Sequence, residues 1–100
     1  KGALVIMCKS IAAELAGTNV RINCVCPGTV DTPSMEKRFQ AMPDPVAGKK
    51  AFLAKELNGR IGTSEEIAKT VLFAASDEVD YLNGASLIVD GGMTCCTGKN

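Results

Sequence analysis

The segment NCVCPGTVDTP, residues 23–33, gathers reactive groups in a chain that has no histidine. Two thiols (Cys24 and Cys26), two hydroxyls (Thr29 and Thr32) and one carboxylate (Asp31) surround a Pro27-Gly28 step. Three readings suit such a set: a metal or redox site on the thiols, a structural turn, or a loop that wraps a cofactor. The 5 cysteines, Cys8, Cys24, Cys26, Cys95 and Cys96, narrow the choice. An odd count, with one adjacent pair and another one residue apart, is no disulfide framework and matches no Cys-x-x-Cys zinc spacing. Without histidine to complete a ligand set, no metal is expected. Reduced thiols fit a reducing compartment, the cytosol. Cys24 and Cys26 read as small core residues rather than a redox pair, and Cys95-Cys96 as an exposed tail. The turn and the cofactor loop remain.

Either reading needs elements that hold the segment in place. Residues 3–16 predict a helix, apolar at Leu4, Val5, Ile6, Met7, Cys8, Ile11 and Leu15, with Lys9, Ser10 and Glu14 as a narrow polar stripe. So wide an apolar face predicts burial against more than one neighbour, and Gly17 is placed to end the helix. Residues 20–26 predict a strand with Val20, Ile22, Cys24 and Cys26 on one face, broken by Pro27-Gly28. A short helix follows over 34–42. Pro43-Asp44-Pro45 then makes a break, and 46–57 predicts a second helix. Thr63 and Glu66 have capping-box spacing, opening a helix with Ile67, Ala68, Val71, Leu72 and Ala75 on one side. Residues 86–89 predict a last, β-branched strand ended by Asp90-Gly91-Gly92.

Composition bounds the class. The 100 residues are 46% hydrophobic with formal charge zero, enough for one small core and unlike a disordered chain. No basic block and only four aromatic residues argue against nucleic acid as a partner. The longest apolar run, residues 3–8, is too short to cross a bilayer, and the start lacks the order of a signal peptide. The order helix, strand, helices, strand predicts α/β structure with parallel neighbouring strands. Two parallel strands make a poor sheet alone, so the chain reads as one end of a larger α/β domain.

Four segments in order, KGALVIMCKSIAAEL, RINCVCPGTVDTP, GRIGTSEEIA and LNGASLIVDGG, resemble the short-chain dehydrogenase/reductase family over residues 1 to 92. The wording NCVCPGTVDTPS is most similar to the family's cytosolic type 2 3-hydroxybutyrate dehydrogenase branch. The resemblance implies the C-terminal part of a Rossmann-type doubly wound parallel sheet and an NAD(P)-dependent exchange between a secondary alcohol and a ketone. The substrate would be a small hydroxy acid such as 3-hydroxybutyrate, with NAD preferred and NADP still open. A 3-oxoacyl carrier-protein reductase, a sugar or steroid dehydrogenase, or a catalytically incomplete product are the alternatives.

The family pattern also assigns roles. Lys1 would be the lysine of a Tyr-x-x-x-Lys element whose tyrosine precedes it by four residues. Two unit charges about 4 Å apart attract by roughly 4 kcal/mol at an effective dielectric of about 20. An ammonium beside the phenol therefore lowers its pKa by at most roughly three units, and the same ammonium can bind the cofactor ribose. The loop Pro27, Gly28, Val30, Asp31, Thr32 and Ser34 would hold the nicotinamide end. The Val30 backbone would bond the carboxamide, the Thr32 hydroxyl the carboxamide or pyrophosphate, and N–H groups near Ser34 a phosphate. Residues 34–57 would form the substrate lid, with Arg38 and Lys55 as candidates to hold a substrate carboxylate. A homodimer or homotetramer is implied, with the apolar face of the first helix packed on a partner subunit.

Overall fold

A computed structural model describes residues 2–95. Lys1 and Cys96 lie outside them. Four helices, α1 (Gly2–Glu14), α2 (Pro33–Gln40), α3 (Pro45–Ala54) and α4 (Ser64–Ala75), alternate with four short strands. These are β1 (Cys24–Pro27), β2 (Val30–Asp31), β3 (Gly62–Thr63) and β4 (Ser86–Val89), and a 3₁₀ turn follows at Met93–Cys95.

β1 and β4 pair in parallel, Cys24 opposite Ser86 through Pro27 opposite Val89, as the helix–strand order predicts. Side chains alternate across a strand. Cys26 and Ile88 accordingly share a cavity wall with Val5 of α1, while Val25 faces Val71 and Ala74 of α4. The chain is thus α/β with parallel strands, with α4 packed on one face and α1 beside the other, where Ile88 stays 58% exposed.

Several expectations are corrected. The strand begins at Cys24, not at residue 20, because the preceding backbone spends its bonds elsewhere. Ile22 N–H donates to Asn83 Oδ1 at 3.1 Å, and Ile22 C=O accepts from Gly84 N–H at 2.8 Å. Asn23 spans the same loop, donating to Leu82 C=O and accepting from Ala85 N–H. Arg21 adds guanidinium bonds to Leu82 and Ser76 carbonyls. The segment is pinned by side chains in place of a ladder. The strand does end at Pro27-Gly28 as expected, with Pro27 the last residue of β1 and Gly28 N–H adding one more bond to Val89 C=O at 3.0 Å.

The apolar face of α1 is not covered within the described residues. Cys8 and Ala12 are buried, yet Leu4, Ile6 and Met7 are 56%, 69% and 51% exposed. A similar correction applies to α4, where Leu72 is 71% exposed while Ile67 and Ala74 turn inward. Cys95 is exposed as expected, but it stands in the 3₁₀ turn, its N–H bonded to Gly92 C=O. The second pair of strands, β2 with β3, was not foreseen. It ties the loop after β1 to the segment before α4.

Candidate functional site

The loop leaves β1 at Pro27 against a close neighbour. A Cβ built on Gly28 would stand 2.8 Å from the Cα of Asp90, so only glycine lets the two backbones touch. Asp90 is itself locked. Its carboxylate accepts from the N–H groups of Gly92 and Thr94 and from the Thr94 hydroxyl, at 2.7 to 2.9 Å. Those bonds, the Thr94 hydroxyl first, hold its pKa below the ordinary aspartate range. Asp90 and Thr94 were not singled out from sequence, where Asp-Gly-Gly reads only as a turn. Their role is to brace the carboxyl end of β4 against the start of the loop.

Beyond Gly28 the loop is held in an open strand pair. Gly62 N–H donates to Thr29 C=O at 2.9 Å, and Val30 lies opposite Gly62. Backbone groups alternate direction along a strand. Bonding through Thr29 and Asp31 therefore turns the Val30 N–H and C=O to the side away from β3. Ser64 Oγ donates to Asp31 C=O at 3.1 Å, fixing the far end of the pair.

Thr32 then caps α2, its Oγ1 accepting from Met35 N–H at 3.2 Å. The hydroxyl keeps its own proton to donate. Pro33 takes the first helical position, which suits a residue with no N–H. Glu36 N–H bonds Thr32 C=O, so Ser34 N–H is left as the first-turn donor with no protein acceptor. Pro27, Gly28, Val30, Asp31, Thr32 and Ser34 are thus contiguous along one surface path at the carboxyl ends of parallel strands. Ligands of open α/β sheets bind in that position. A free backbone edge, a hydroxyl donor and a helix N-terminal N–H fit an amide and a phosphate.

Helices α2 and α3 build a core of their own. Phe39 is 1% exposed and meets Phe52 edge-on, with ring centroids 5.4 Å apart. Lys49 stands 5.4 Å over the Phe39 ring and 3.8 Å from the Glu36 carboxylate. Asp44 caps α3 by accepting from Ala47 N–H. Arg38 is exposed on α2, and its one side-chain contact is with Met35 Sδ at 3.9 Å. Lys55, the residue capping the end of α3, is exposed as well. Among the described residues no hydrogen bond joins Arg38 to Lys55, and neither is paired with a carboxylate.

α4 opens with the expected capping box: Thr63 Oγ1 accepts from Glu66 N–H, and Glu66 accepts from Thr63 N–H. Arg60 adds a two-pronged ion pair to Glu66, at 2.8 and 3.0 Å. The Arg60 guanidinium and the Thr63 cap together hold the Glu66 carboxyl down at about 2. Cys24 and Cys26 face each other with 3.8 Å between sulfurs. The hydrogen bond it shares with Cys24, and then burial, push the Cys26 thiol above its ordinary range. No helix among the described residues is long and apolar enough to cross a membrane.

Comparison with known proteins follows the same lines. The family described as enoyl-(acyl carrier protein) reductase matches residues 1–94. The Xenopus laevis dehydrogenase/reductase SDR family member 6 is 47% identical over 94 residues, which are 94% of this chain and 38% of that protein. The 2-(S)-hydroxypropyl-CoM dehydrogenase 3 of Xanthobacter autotrophicus is 42% identical, over 94% of this chain and 37% of its own length. The crystal structure of a short chain dehydrogenase family protein from Francisella tularensis superimposes with a TM-score of 0.87 at 35% identity. It covers 96% of this chain and 42% of that one. The chain therefore spans well under half the length of the relatives it matches.

Proposed function

The chain belongs to the short-chain dehydrogenase/reductase family, and from that premise we propose that the protein containing it is an NAD(P)-dependent oxidoreductase that interconverts a secondary alcohol and a ketone. The observation that carries this reading is the loop itself. The Val30 backbone edge, the Thr32 hydroxyl proton and the Ser34 N–H lie in sequence on one path, braced by Gly28 against Asp90. In this reading the Val30 backbone binds the carboxamide, Thr32 the carboxamide or pyrophosphate, and the α2 N-terminus at Ser34 a phosphate. The bound nicotinamide would supply hydride transfer, while the loop decides which ring face is presented. Lys1 would bind ribose and lower the pKa of a tyrosine outside this chain.

NAD is the favoured cofactor, and a small hydroxy acid such as 3-hydroxybutyrate the favoured substrate. The support for an acid is Arg38 on α2, a guanidinium that has no carboxylate partner among the described residues, and separately Lys55, likewise unpaired among them. Arginine suits a carboxylate because its fork can donate two parallel hydrogen bonds. The exposed Leu4, Ile6 and Met7 of α1 support a homo-oligomer in which a partner subunit covers this face. A cytosolic setting goes with reduced cysteines.

The test is turnover by the full-length protein, followed as absorbance of the reduced cofactor. NAD and NADP are each offered with hydroxy acids, neutral secondary alcohols, sugars, steroids and 3-oxoacyl carrier-protein thioesters. Turnover of hydroxy acids with NAD is expected. Activity confined to sugars, steroids or thioesters would move the protein to another branch, and none with any substrate would mean a catalytically incomplete product.

A further inference from the structure

We propose that Asp90 and Thr94 are positioning residues, whose turn holds the start of the cofactor loop and the end of the proposed lid together. This role rests on the nicotinamide reading of the loop. The turn follows from its sequence. Gly91 and Gly92 have φ of 64° and 89°, a backbone that L side chains rarely adopt. Two such residues in succession fold the chain back onto the carboxylate before them. Asp90 Oδ1 accepts from Gly92 N–H at 2.9 Å, and Oδ2 accepts from Thr94 N–H at 2.9 Å and Thr94 Oγ1 at 2.7 Å. Met93 N–H closes the turn on Asp90 C=O. Hydrogen bonds to an ionised acceptor are the strong ones, and one carboxylate here collects three.

Two other segments lean on this turn from different directions. A Cβ on Gly28 would stand 2.8 Å from both Cα and Cβ of Asp90, and 3.2 Å from Met93 Cε. A Cβ on Gly91 would stand 3.3 Å from Asn58 Nδ2, and one on Gly92 2.5 Å from Leu57 Cδ2. Leu57 is the last residue of the proposed lid, and Gly28 opens the cofactor loop. Thr29, Glu56, Asn58, Asp90 and Gly91 accordingly line one cavity of about 120 Å³. Close-packed groups transmit a shift to their neighbours. Loosening the carboxylate lock therefore moves the loop and the lid end at once.

The test uses the full-length protein and the variants Thr94→Val, Thr94→Ser and Asp90→Asn, each held well below its melting temperature. Titration with NADH and with NADPH gives the affinity. Thr94→Val should weaken cofactor binding about tenfold, the order expected for one charge-assisted hydrogen bond. Thr94→Ser keeps the hydroxyl and should restore it. Asp90→Asn turns one acceptor into a donor facing an N–H and should weaken binding at least as much as Thr94→Val. Hydrogen exchange on the cofactor-free protein reads the bracing by itself. In Thr94→Val the amides of Gly28 and Gly59, bonded to the Val89 and Glu56 carbonyls, should exchange faster while those inside α4 keep their rate. Faster exchange with unchanged affinity would make the turn structural only and overturn the role. Unchanged exchange at either glycine would overturn the bracing. Wild type that binds neither cofactor would overturn the nicotinamide reading, and the role with it, whatever the exchange shows.

Discussion

The seam between β1 and β4 and the helix pair α2–α3, the proposed lid, are built on opposite principles. The seam is held by backbone and by short polar side chains: the parallel ladder, the Asn23 clamp, and Asp90 locked by Gly92 and Thr94. The helix pair is held by one aromatic contact, Phe39 on Phe52, and carries its charges on long exposed side chains. The two regions should therefore fail in different ways when perturbed.

The largest expected effect lies in the lid. Phe39→Ala removes its only fully buried large side chain, a change that costs about 3–5 kcal/mol in a packed core. Hydrogen exchange should show faster exchange in α2 and α3 while the β1–β4 amides keep their protection. Equal loss of protection in both regions would erase the distinction between them. Next comes Gly28→Ala, which pushes a methyl into the Asp90 backbone. Overpacking of this kind costs about 1–3 kcal/mol. Here the melting temperature should fall and cofactor affinity with it, and a variant that binds cofactor normally would show that the contact is slack.

A smaller change sharpens the substrate side. Arg38→Ala should raise KM for hydroxy acids about tenfold, the order expected for one charge-assisted hydrogen bond, and leave neutral alcohols unchanged. Equal effects on both would defeat the carboxylate anchor. The smallest effect concerns acid. The Glu66 carboxyl is held at about 2 against an ordinary 4.5, so its stabilisation is complete above 4.5 and is lost as pH falls from there toward 2. Wild type should lose melting temperature across that window more steeply than Glu66→Gln, and parallel curves would mean that the Arg60 pair contributes nothing.

What could be read from sequence was mostly local. The capping box at Thr63 and Glu66 is a four-residue signal, and it reappears atom for atom. Parallel pairing of the two main strands followed from the order of elements. The start of β1 was missed because Asn23 and Asn83 hold the preceding residues through side chains, which hydrophobic alternation does not register. β2 and β3 are two residues each, too short to leave a period. The core between α2 and α3 escaped because Phe39 and Phe52 meet across two helices, a contact that the periodicity of either one alone does not register. At the site, the loop residues were legible as a contiguous motif, whereas Asp90 and Thr94 act on it from a distant segment.

The most direct measurement is a titration of full-length protein with NADH, comparing Thr32→Ala with Thr63→Ala. Both threonines cap helices by accepting an N–H bond, Thr32 from Met35 and Thr63 from Glu66, so each change removes a similar local bond. Only Thr32 lies on the path beside Val30 and Ser34. A lost hydrogen bond to ligand weakens binding about threefold to tenfold, and that loss is expected for Thr32→Ala while Thr63→Ala binds as wild type does. Equal affinities in the two variants would contradict the assignment of this loop to the cofactor.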